Sequence, residues 1–287
     1  MRSVDSIGEL RAVSRAVRAK EQKIALVTTM GALHEGHLSL VRRAKQLADV
    51  VVMSIFVNPT QFRPGEDFER YPRDLLRDAA LAAEAGVDIL FTPSVREIYP
   101  EGFSTSVNVD RISERFEGAA RPGHFRGVAT VVLKLFQIVG PDVAVFGQKD
   151  AQQTVVVKTM VRDLDLGVEV VVAPTVRESD GLAMSSRNGF LSPEEREGAR
   201  ILSRALRRAE AMSQEGETDA VRISSALREE IATEARARLD YAELVSPESF
   251  EPVAVVAPGS IAVVAASFGS TRLIDNVVLN PHSGAVK

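Results

Sequence analysis

The stretch IALVTTMGALHEGH, residues 24–37, carries the pattern that decides the fold. Its first part, 24–28, is a short aliphatic run that predicts a buried strand. Glycines follow, and the amphipathic stretch 37–48 then places its apolar residues near one helical face, which predicts a helix. A buried strand that passes through a glycine turn into a helix is the repeating unit of an α/β fold.

The same alternation continues outward from this unit. We expect further strands at 50–57, 87–91, 143–146 and 168–172, and helices at 74–85, 128–139 and 151–163, with Gly86 after the first of these helices. Strands that alternate with helices in this way indicate a parallel sheet flanked by helices. The predicted fold class is therefore α/β, a Rossmann-like doubly wound parallel sheet.

The pattern changes after Pro174, where a smaller C-terminal domain is predicted. Ser192 is placed to cap the first of a series of charged helices, which are interrupted near 214–216. Strand-like alternation returns at 241–245, 260–265 and 271–278. We therefore expect two domains, at 1–175 and 176–287, of which the second is a smaller α+β unit.

Composition narrows the class of protein. The 287 residues are 45% hydrophobic but only 5% aromatic, with no Trp, so the core must be mostly aliphatic, as buried parallel strands are. A net charge of −4 without a basic block argues against nucleic acid as a partner. The absence of Cys excludes disulfides and thiolate metal sites. With no signal-peptide pattern and no apolar run of about 18 residues, a soluble cytoplasmic protein without a membrane partner is expected.

The turn at 30–37 is the first candidate site. A helix start offers free N–H groups and the positive end of the helix dipole, which suit phosphate, and Gly31 and Gly36 allow close approach. His34 and His37 share a helical face and can donate to phosphate oxygens. Taken alone, the turn is explained about equally well by phosphate binding and by two ordinary turn histidines or a metal-binding pair. Two of the four His in the chain lie here, however, and the strand–turn–helix context favours phosphate.

Polar residues also follow three other predicted strands. Asn58 and Gln61 end one strand, and their amides can bind a carboxylate or a hydroxyl. Lys149 opens a helix and can neutralise phosphate, with Gln153 one turn further on. The loop at 184–187 holds hydroxyls and a guanidinium, as a phosphate clamp would. Each alone is better explained as a polar turn, a solvated lysine or a serine-rich hinge, but ligands of open α/β sheets bind at the carboxyl ends of strands, where these residues fall.

Together these motifs resemble a known family. A His-x-x-His turn with a later Met-Ser-Ser-Arg loop is similar to the nucleotidylyltransferase superfamily, and within it the chain closely resembles the pantoate–β-alanine ligases (pantothenate synthetases). The blocks that carry the resemblance, in order, are TMGALHEGH (29–37), IFVNPTQF (55–62), RPGHFRGVATVVLKLF (121–136), FGQKDAQQ (146–153) and LAMSSRN (182–188). The chain departs from the family at Thr28, where Pro is usual, and at Gln148, where Glu is common, but neither departure removes a candidate catalytic group.

The resemblance implies which residues handle ATP. His37 would donate a proton and bind phosphate with the support of His34, while Lys149 and Arg187 would reach the phosphates, so these are the predicted catalytic residues. The residues implied in ATP binding are Met30, Gly31, Ala32, Leu33, His34, Glu35, Gly36, His37, Gly147, Gln148, Lys149, Asp150, Val176, Met184, Ser185, Ser186 and Arg187.

The resemblance also implies a pocket for the acid. Gln61 and Gln153 would hold the hydroxyls and carboxylate of pantoate, with Asn58 nearby. Tyr71 and Arg121 are weaker candidates at the edge of this pocket.

The implied reaction is an ATP-dependent ligation in two steps. The pantoate carboxylate attacks the α-phosphorus of ATP to give pantoyl adenylate and pyrophosphate, and the amine of β-alanine then displaces AMP. Mg²⁺ is expected to arrive bound to ATP, because the sequence has no carboxylate cluster that would form a dedicated metal site. The C-terminal domain is expected to close over the adenylate and shield it from water.

Other functions stay open at this point. An enzyme that transfers a nucleotide to a phosphorylated acceptor, as cytidylyltransferases do, would need no second acyl acceptor. A non-catalytic ATP-sensing module would bind ATP but release no pyrophosphate. A tRNA synthetase is disfavoured because the acidic chain has no basic face. The family is usually dimeric, and an edge strand such as 104–109 is a candidate contact for a homodimer.

Overall fold

The structure is a computed structural model, and it describes residues 1–63, 68–69 and 71–281. The chain divides into two compact units. One comprises Met1–Gln148 with Gln152–Pro174, and the other comprises Lys149–Ala151 with Thr175–Lys287. The second unit therefore includes three residues whose neighbours on both sides belong to the first.

The first unit alternates strands and helices along the chain. Its elements are β1 (Arg2–Val4), α1 (Ile7–Arg18), β2 (Ile24–Thr29), α2 (Glu35–Lys45), β3 (Val50–Ile55), α3 (Leu75–Glu84), β4 (Ile89–Phe91), α4 (Val95–Ile98), α5 (Glu117–Ala120), α6 (His124–Val139), β5 (Val143–Gly147), α7 (Ala151–Asp163) and β6 (Glu169–Ala173). Short 3₁₀ turns lie at Pro59–Gln61, Ile112–Glu114 and Gln148–Asp150.

These strands form one parallel sheet in the order β1-β4-β3-β2-β5-β6. The chain runs from β2 through β3 to β4 on one side and then returns to β5 on the other side of β2. The strand order thus reverses between β2 and β5, and ligands of doubly wound folds bind outside the carboxyl ends of the strands at such a reversal. The turns after Thr29 and Gly147 lie there.

The core of the first unit is aliphatic. Ala25, Val27 and Met53 of the central strands are fully buried at 0% exposure, and Val41 and Ala44 of α2 belong to the same cluster. Burial of a Val or Met side chain is worth about 1.5–3 kcal/mol, so this packing fixes the strand ends and the polar turns that follow them.

The second unit pairs helices with an antiparallel sheet. Its elements are α8 (Pro193–Ala199), α9 (Ile201–Gln214), α10 (Ala220–Ala232), β7 (Ala237–Val245), β8 (Ile261–Phe268) and β9 (Thr271–Val278), with a 3₁₀ turn at Ser186–Phe190. The strands pair in the order β7-β8-β9. Every residue of β8 is buried, and α9 and α10 pack against each other and against the sheet.

The predicted fold class, a doubly wound parallel sheet with a smaller α+β unit, is confirmed. Ser192 does cap α8, since its Oγ accepts from Glu195 N and the Glu195 carboxylate accepts from Ser192 N. Gly86 also follows α3 as predicted, with the positive φ of 92° that favours glycine there.

Two predictions about elements were incomplete or wrong. Sequence patterns did not predict β1 and α1. Of these, β1 lies at the edge of the sheet and pairs with β4. The segment 104–109 is not a strand, because none of its residues pairs in a ladder with another described residue and Val107 N instead donates to Thr130 Oγ1. Among the residues described, no helix combines the length and apolar character needed to cross a membrane.

Candidate active site

The turn after β2 has a backbone that requires glycine. Gly31 has φ of +86°, and a Cβ at this position would lie 2.9 Å from Asp78 Oδ2 and 3.1 Å from Ile55 Cγ2. Ala32 follows with φ of +51°, a conformation uncommon outside glycine. The turn is therefore held in a strained conformation by its surroundings, as is common where a backbone approaches a ligand.

Asp78 of α3 stabilises this turn through hydrogen bonds to its main chain. Asp78 is 1% exposed. Oδ2 accepts from Ala32 N and Oδ1 accepts from Leu33 N, both at 2.8 Å. Charge-assisted bonds of this kind contribute about 1.5–3 kcal/mol each, so they hold an unfavourable turn in place. Because the protein itself uses these amides, the turn does not offer them to phosphate.

His34 and His37 form the start of α2. His34 is the N-cap and its Nδ1 accepts from Gly36 N at 3.1 Å, while His37 Nδ1 accepts from His34 N at 3.4 Å. The ring centroids are 4.1 Å apart. A backbone N–H can only donate, so both Nδ1 atoms are acceptors and the neutral rings carry their hydrogen on Nε2.

The sequence predicts free backbone N–H groups at this helix start, and the structure shows that one of them has a partner within the protein. The amide of Gly36, expected to be available to phosphate, is taken by His34 Nδ1. The side-chain donors at this helix start are the two Nε2–H groups. Glu35, the exposed residue between them, pairs with Arg42 of the same helix.

The turn after β3 is organised around Asn58, which is 1% exposed. Its Nδ2 donates to Gln61 Oε1 at 2.9 Å and to Gly127 O at 3.1 Å. Its Oδ1 accepts from Tyr99 O–H at 2.9 Å and from Thr60 Oγ1 at 2.9 Å. The Asn58 amide is thus fully used within the protein, and it fixes the Gln61 amide so that Nε2 is the end that can donate to a ligand.

Tyr99 takes part in this turn without being an obvious candidate in the sequence. Burial raises the pKa of Tyr99, against the opposing effect of its hydrogen bonds with Thr60 and Asn58. The phenol therefore stays protonated near neutral pH and acts as the donor to Asn58.

Two further side chains hold the main chain of Gln61. His124 Nδ1 lies 2.9 Å from Gln61 O, and Arg121 Nη2 donates to the same oxygen at 3.2 Å. Since a carbonyl can only accept, His124 carries a hydrogen on Nδ1. Arg121 and His124 are therefore placed to order the turn. Tyr71, the other weaker candidate, is 6% exposed and packs edge-on against Phe62.

After β5, the two neighbouring glutamines have different surroundings. Gln152 is 4% exposed, with Oε1 accepting from Glu117 N at 3.1 Å and Nε2 donating to Ile112 O at 2.7 Å. It holds the segment before α6. Gln153, the predicted substrate residue, is half-buried on α7, about one turn after Lys149.

In the second unit, a short hairpin brings together two predicted nucleotide residues that are distant in sequence. Met184 N donates to Val176 O at 3.0 Å, and Arg177 bridges to Ala183. Ser185 then caps the 3₁₀ turn, its Oγ accepting from Arg187 N at 3.2 Å. Val176 and the residues 184–187 therefore form one local structure.

Two polar residues that sequence reasoning missed support this hairpin from its ends. Asn188 Nδ2 donates to Glu178 Oε1 at 2.6 Å and to Ala183 O at 3.0 Å. Arg196 pairs with the other oxygen of Glu178 at 2.6 Å and with Asp180 at 2.8 Å. Arg196 of α8 and Asn188 thus anchor the loop that carries Ser186 and Arg187.

Lys149 belongs to the second unit. Its Nζ lies 3.3 Å from Asp150 Oδ1, and its carbonyl accepts from Asn276 Nδ2 at 2.8 Å. Within the ranges that the structure describes, no three His, Asp or Glu side chains cluster closely enough to hold a metal ion.

Comparison with known proteins covers almost the whole chain. The sequence model of the family described as pantoate-beta-alanine ligase matches residues 2–278. The pantothenate synthetase of Acetivibrio thermocellus is 55% identical over 279 residues, which are 97% of this chain and 99% of the relative. That of Acidobacterium capsulatum is 54% identical, with 100% of both chains covered.

Two solved structures of enzymes with these names are also similar to this chain over nearly its full length. The crystal structure of pantothenate synthetase from Thermus thermophilus superposes with a TM-score of 0.92 at 49% identity, covering 98% of this chain and 100% of that one. The pantoate-beta-alanine ligase of Francisella tularensis, complexed with beta-gamma ATP and beta-alanine, gives a TM-score of 0.79 at 36% identity, with 97% of both chains covered.

Proposed function

Because the chain belongs to the pantoate-beta-alanine ligase family, matched over residues 2–278, we propose that it joins pantoate to β-alanine in two steps through a pantoyl adenylate. The enzyme is an ATP-dependent ligase of pantothenate biosynthesis. The observation that supports this reaction is the match of the chain to the family over nearly its full length. The two Nε2–H groups at the start of α2 support the assignment of residues to it.

The chemistry explains why ATP is needed. A carboxylate is a poor electrophile, so pantoate first attacks the α-phosphorus, forming the P–O bond of the mixed anhydride and releasing pyrophosphate. The amine of β-alanine then attacks the acyl carbon and forms the C–N bond. The bond from the acyl carbon to the phosphate oxygen breaks, AMP leaves with its electron pair, and the amine loses a proton. Such a transfer depends on positioning and on neutralising charge more than on covalent help.

The two histidines are proposed to act on the phosphates. Both rings carry their hydrogen on Nε2 because Nδ1 is used by the backbone, and the positive end of the α2 dipole lies behind them. His37 is proposed to donate to the oxygens that gain charge in the transition state, with His34 alongside. One such donor is worth about 3–4 kcal/mol in the barrier, by comparison with an oxyanion-hole contact.

The acid is proposed to bind at the turn after β3. Gln61 has its Oε1 occupied by Asn58, so its Nε2 is left to donate to the carboxylate or hydroxyls of pantoate. Gln153 is the proposed second contact. Asn58 is proposed to orient Gln61 rather than to bind pantoate itself, because its own donors and acceptor are used within the protein.

The second unit is proposed to contribute positive charge. Lys149 and Arg187 would bind nucleotide phosphates, and Val176 with Met184–Ser186 would contact the nucleotide through the hairpin that joins them. Closure of the domain at 176–287 over the adenylate is part of the proposal, because exclusion of water protects an activated acyl group.

Mg²⁺ is proposed to enter as the magnesium complex of ATP. Mg²⁺ commonly binds through substrate phosphates with few protein ligands. When bound, the ion neutralises phosphate charge. A homodimer is proposed from the family resemblance alone, and sedimentation of the purified protein tests it.

The decisive experiment is mass spectrometry of a reaction containing ATP, pantoate and β-alanine, repeated with each component left out. The proposal expects the amide product together with AMP and pyrophosphate only when all three are present. A nucleotidylated metabolite without AMP would favour a cytidylyltransferase-like reaction. ATP binding with no pyrophosphate released would favour a sensing module.

A further inference from the structure

Strand β9 carries two consecutive polar residues that are both buried. Asp275 is 3% exposed and Asn276 is 5% exposed. Neighbouring residues of a strand point to opposite faces, so both faces of β9 are closed to solvent at this point. Buried polar side chains without partners are destabilising, which means that each must have a defined partner.

The partner of Asp275 lies beside the proposed nucleotide hairpin. Arg177 donates through Nη1 to Asp275 Oδ2 at 2.6 Å and through Nη2 to Oδ1 at 3.0 Å. This fork is the arrangement in which a guanidinium binds a carboxylate most specifically. Arg177 directly follows Val176, so the pair fixes the hairpin against β9.

The partner of Asn276 is the main chain of Lys149. Asn276 Nδ2 donates to Lys149 O at 2.8 Å. Lys149–Ala151 and β9 belong to the same compact unit, although the residues on either side of 149–151 belong to the other. This hydrogen bond is thus one tie that holds the lysine segment to the second unit.

The same strand also contacts the 3₁₀ turn at Ser186–Phe190, which carries Arg187. Three segments that are distant in sequence and that are all assigned to phosphate or nucleotide therefore meet one strand. Asp275 binds Arg177 and Asn276 binds the main chain of Lys149, so both side chains are placed to position these segments.

We propose that Asn276 is a positioning residue for adenylation, whose carboxamide sets the main-chain position of Lys149 and thereby aims its ammonium at the nucleotide phosphates. This inference rests on the proposed function of Lys149. The Arg177–Asp275 pair fixes the position of β9 relative to the hairpin. This keeps Asn276 within hydrogen-bonding distance of the Lys149 carbonyl.

The test measures ATP binding, because binding needs no turnover. Equilibrium dialysis of the magnesium complex of ATP is compared for the full chain, Asn276→Ala and Asn280→Ala. Asn280 is an exposed asparagine just after β9 and serves as the matched control. Loss of the hydrogen bond is expected to raise the Kd for ATP about tenfold in Asn276→Ala, and the control is expected to stay within about twofold.

A double-mutant cycle with Lys149→Ala separates positioning from a structural role. If Asn276 acts through the lysine side chain, Asn276→Ala changes the Kd by less than about twofold once that side chain is gone. The same tenfold loss in both backgrounds, or no loss in the wild-type background, overturns the proposal. Normal ATP binding by Lys149→Ala alone overturns the role of Lys149 instead, so the two failures are distinguishable.

A second pair of variants covers the case in which Asn276→Ala does not fold, as judged by circular dichroism and the melting temperature. Asn276→Asp keeps the shape of the side chain and removes the donor, and Asn280→Asp adds the same charge nearby. A larger loss of ATP affinity in Asn276→Asp than in Asn280→Asp is expected. Equal losses would mean that charge alone is responsible and would overturn the proposal.

Discussion

At the scale of single residues, the two imidazoles at the start of α2 differ in how much the fold depends on them. His34 accepts from Gly36 N as the N-cap at 3.1 Å, and loss of a cap costs about 1 kcal/mol of stability. His37 accepts a longer bond of 3.4 Å from His34 N. Stability and catalysis are therefore more easily separated at His37 than at His34.

We expect His37→Ala to fold with a melting temperature close to that of the wild type and to lose activity in adenylation by about 10²–10³-fold, the effect of removing one transition-state donor. Pantoate-dependent exchange of pyrophosphate into ATP measures this step. His37→Gln, which keeps an N–H donor at similar reach, should retain more activity than His37→Ala. Near-normal exchange in His37→Ala would remove His37 from the proposed mechanism.

Asp78 is a second residue whose change is informative. The two oxygens of the Asp78 carboxylate accept hydrogen bonds from Ala32 N and Leu33 N. In Asp78→Asn the side-chain amide has only one acceptor oxygen for these two donors. The side-chain NH₂ then faces one of these donors, which costs stability and moves the turn. We expect a lower melting temperature and a loss of about tenfold or more in kcat/KM for ATP.

Asp74→Asn is the control for this variant. Asp74 caps the same helix by accepting from Arg77 N at 3.0 Å, and Asn caps helices about as well as Asp. Both stability and kcat/KM should therefore stay close to wild type. An Asp78→Asn enzyme with unchanged kcat/KM for ATP would show that the turn does not need this carboxylate.

The sequence could supply the chemical types at this scale but not the partners. His34, His37, Gln61 and Lys149 are candidates in the sequence because they follow strand ends. Asp78 was not, because in the sequence it is one more charged residue of a surface helix, and it lies 46 residues from Ala32. Asn276 left a signal that could have been used, since two consecutive polar residues interrupt an otherwise largely apolar strand.

At the scale of elements, α6 is packed unusually closely against the turn that carries Gln61. A Cβ on Gly127 would lie 2.4 Å from Thr60 O and 2.9 Å from Gln61 N. These atoms belong to the main chain and cannot rotate away as a side chain would. Glycine at this point of the helix therefore allows Asn58 to reach Gly127 O.

We expect Gly127→Ala to push the Asn58–Gln61 turn away from α6, which lowers stability by about 1–3 kcal/mol through overpacking and raises the KM for pantoate more than that for ATP. Gly8→Ala in α1 is the matched control, because nothing lies within 4 Å of its new Cβ and Ala favours a helix. Thermal melting and steady-state kinetics with each substrate measure the difference. Equal increases in both KM values would contradict a local effect.

The sequence predicted the elements well where a pattern is internal to them and less well where context decides. The central strands and α7 were placed within a residue or two because aliphatic runs and helical periodicity belong to the segment itself. β1 was missed because three residues carry too little pattern, and their pairing with β4 is a tertiary effect. The run at 104–109 alternates like a strand, but Val107 N donates to Thr130 Oγ1 of α6 instead of to a neighbouring strand.

At the scale of the whole molecule, the reversal of strand order between β2 and β5 explains why the decisive turns could be placed from the sequence. Parallel strands end on one edge of their sheet, and sequence alternation alone implies that edge. The sequence could not reveal that Lys149–Ala151 belongs to the second unit, because this follows from tertiary contacts with residues such as Asn276, 127 positions further on.

The order of the two chemical steps is a property of the whole enzyme, and isotope exchange can test it. If pantoyl adenylate forms before β-alanine reacts, labelled pyrophosphate must enter ATP when pantoate and ATP are present and β-alanine is absent. His37→Ala should reduce this exchange together with overall turnover, because both pass through the same attack on the α-phosphorus. A control without pantoate should show none. Exchange that requires β-alanine would instead mean that both substrates react in one concerted complex, and the role proposed for the adenylate would have to be abandoned.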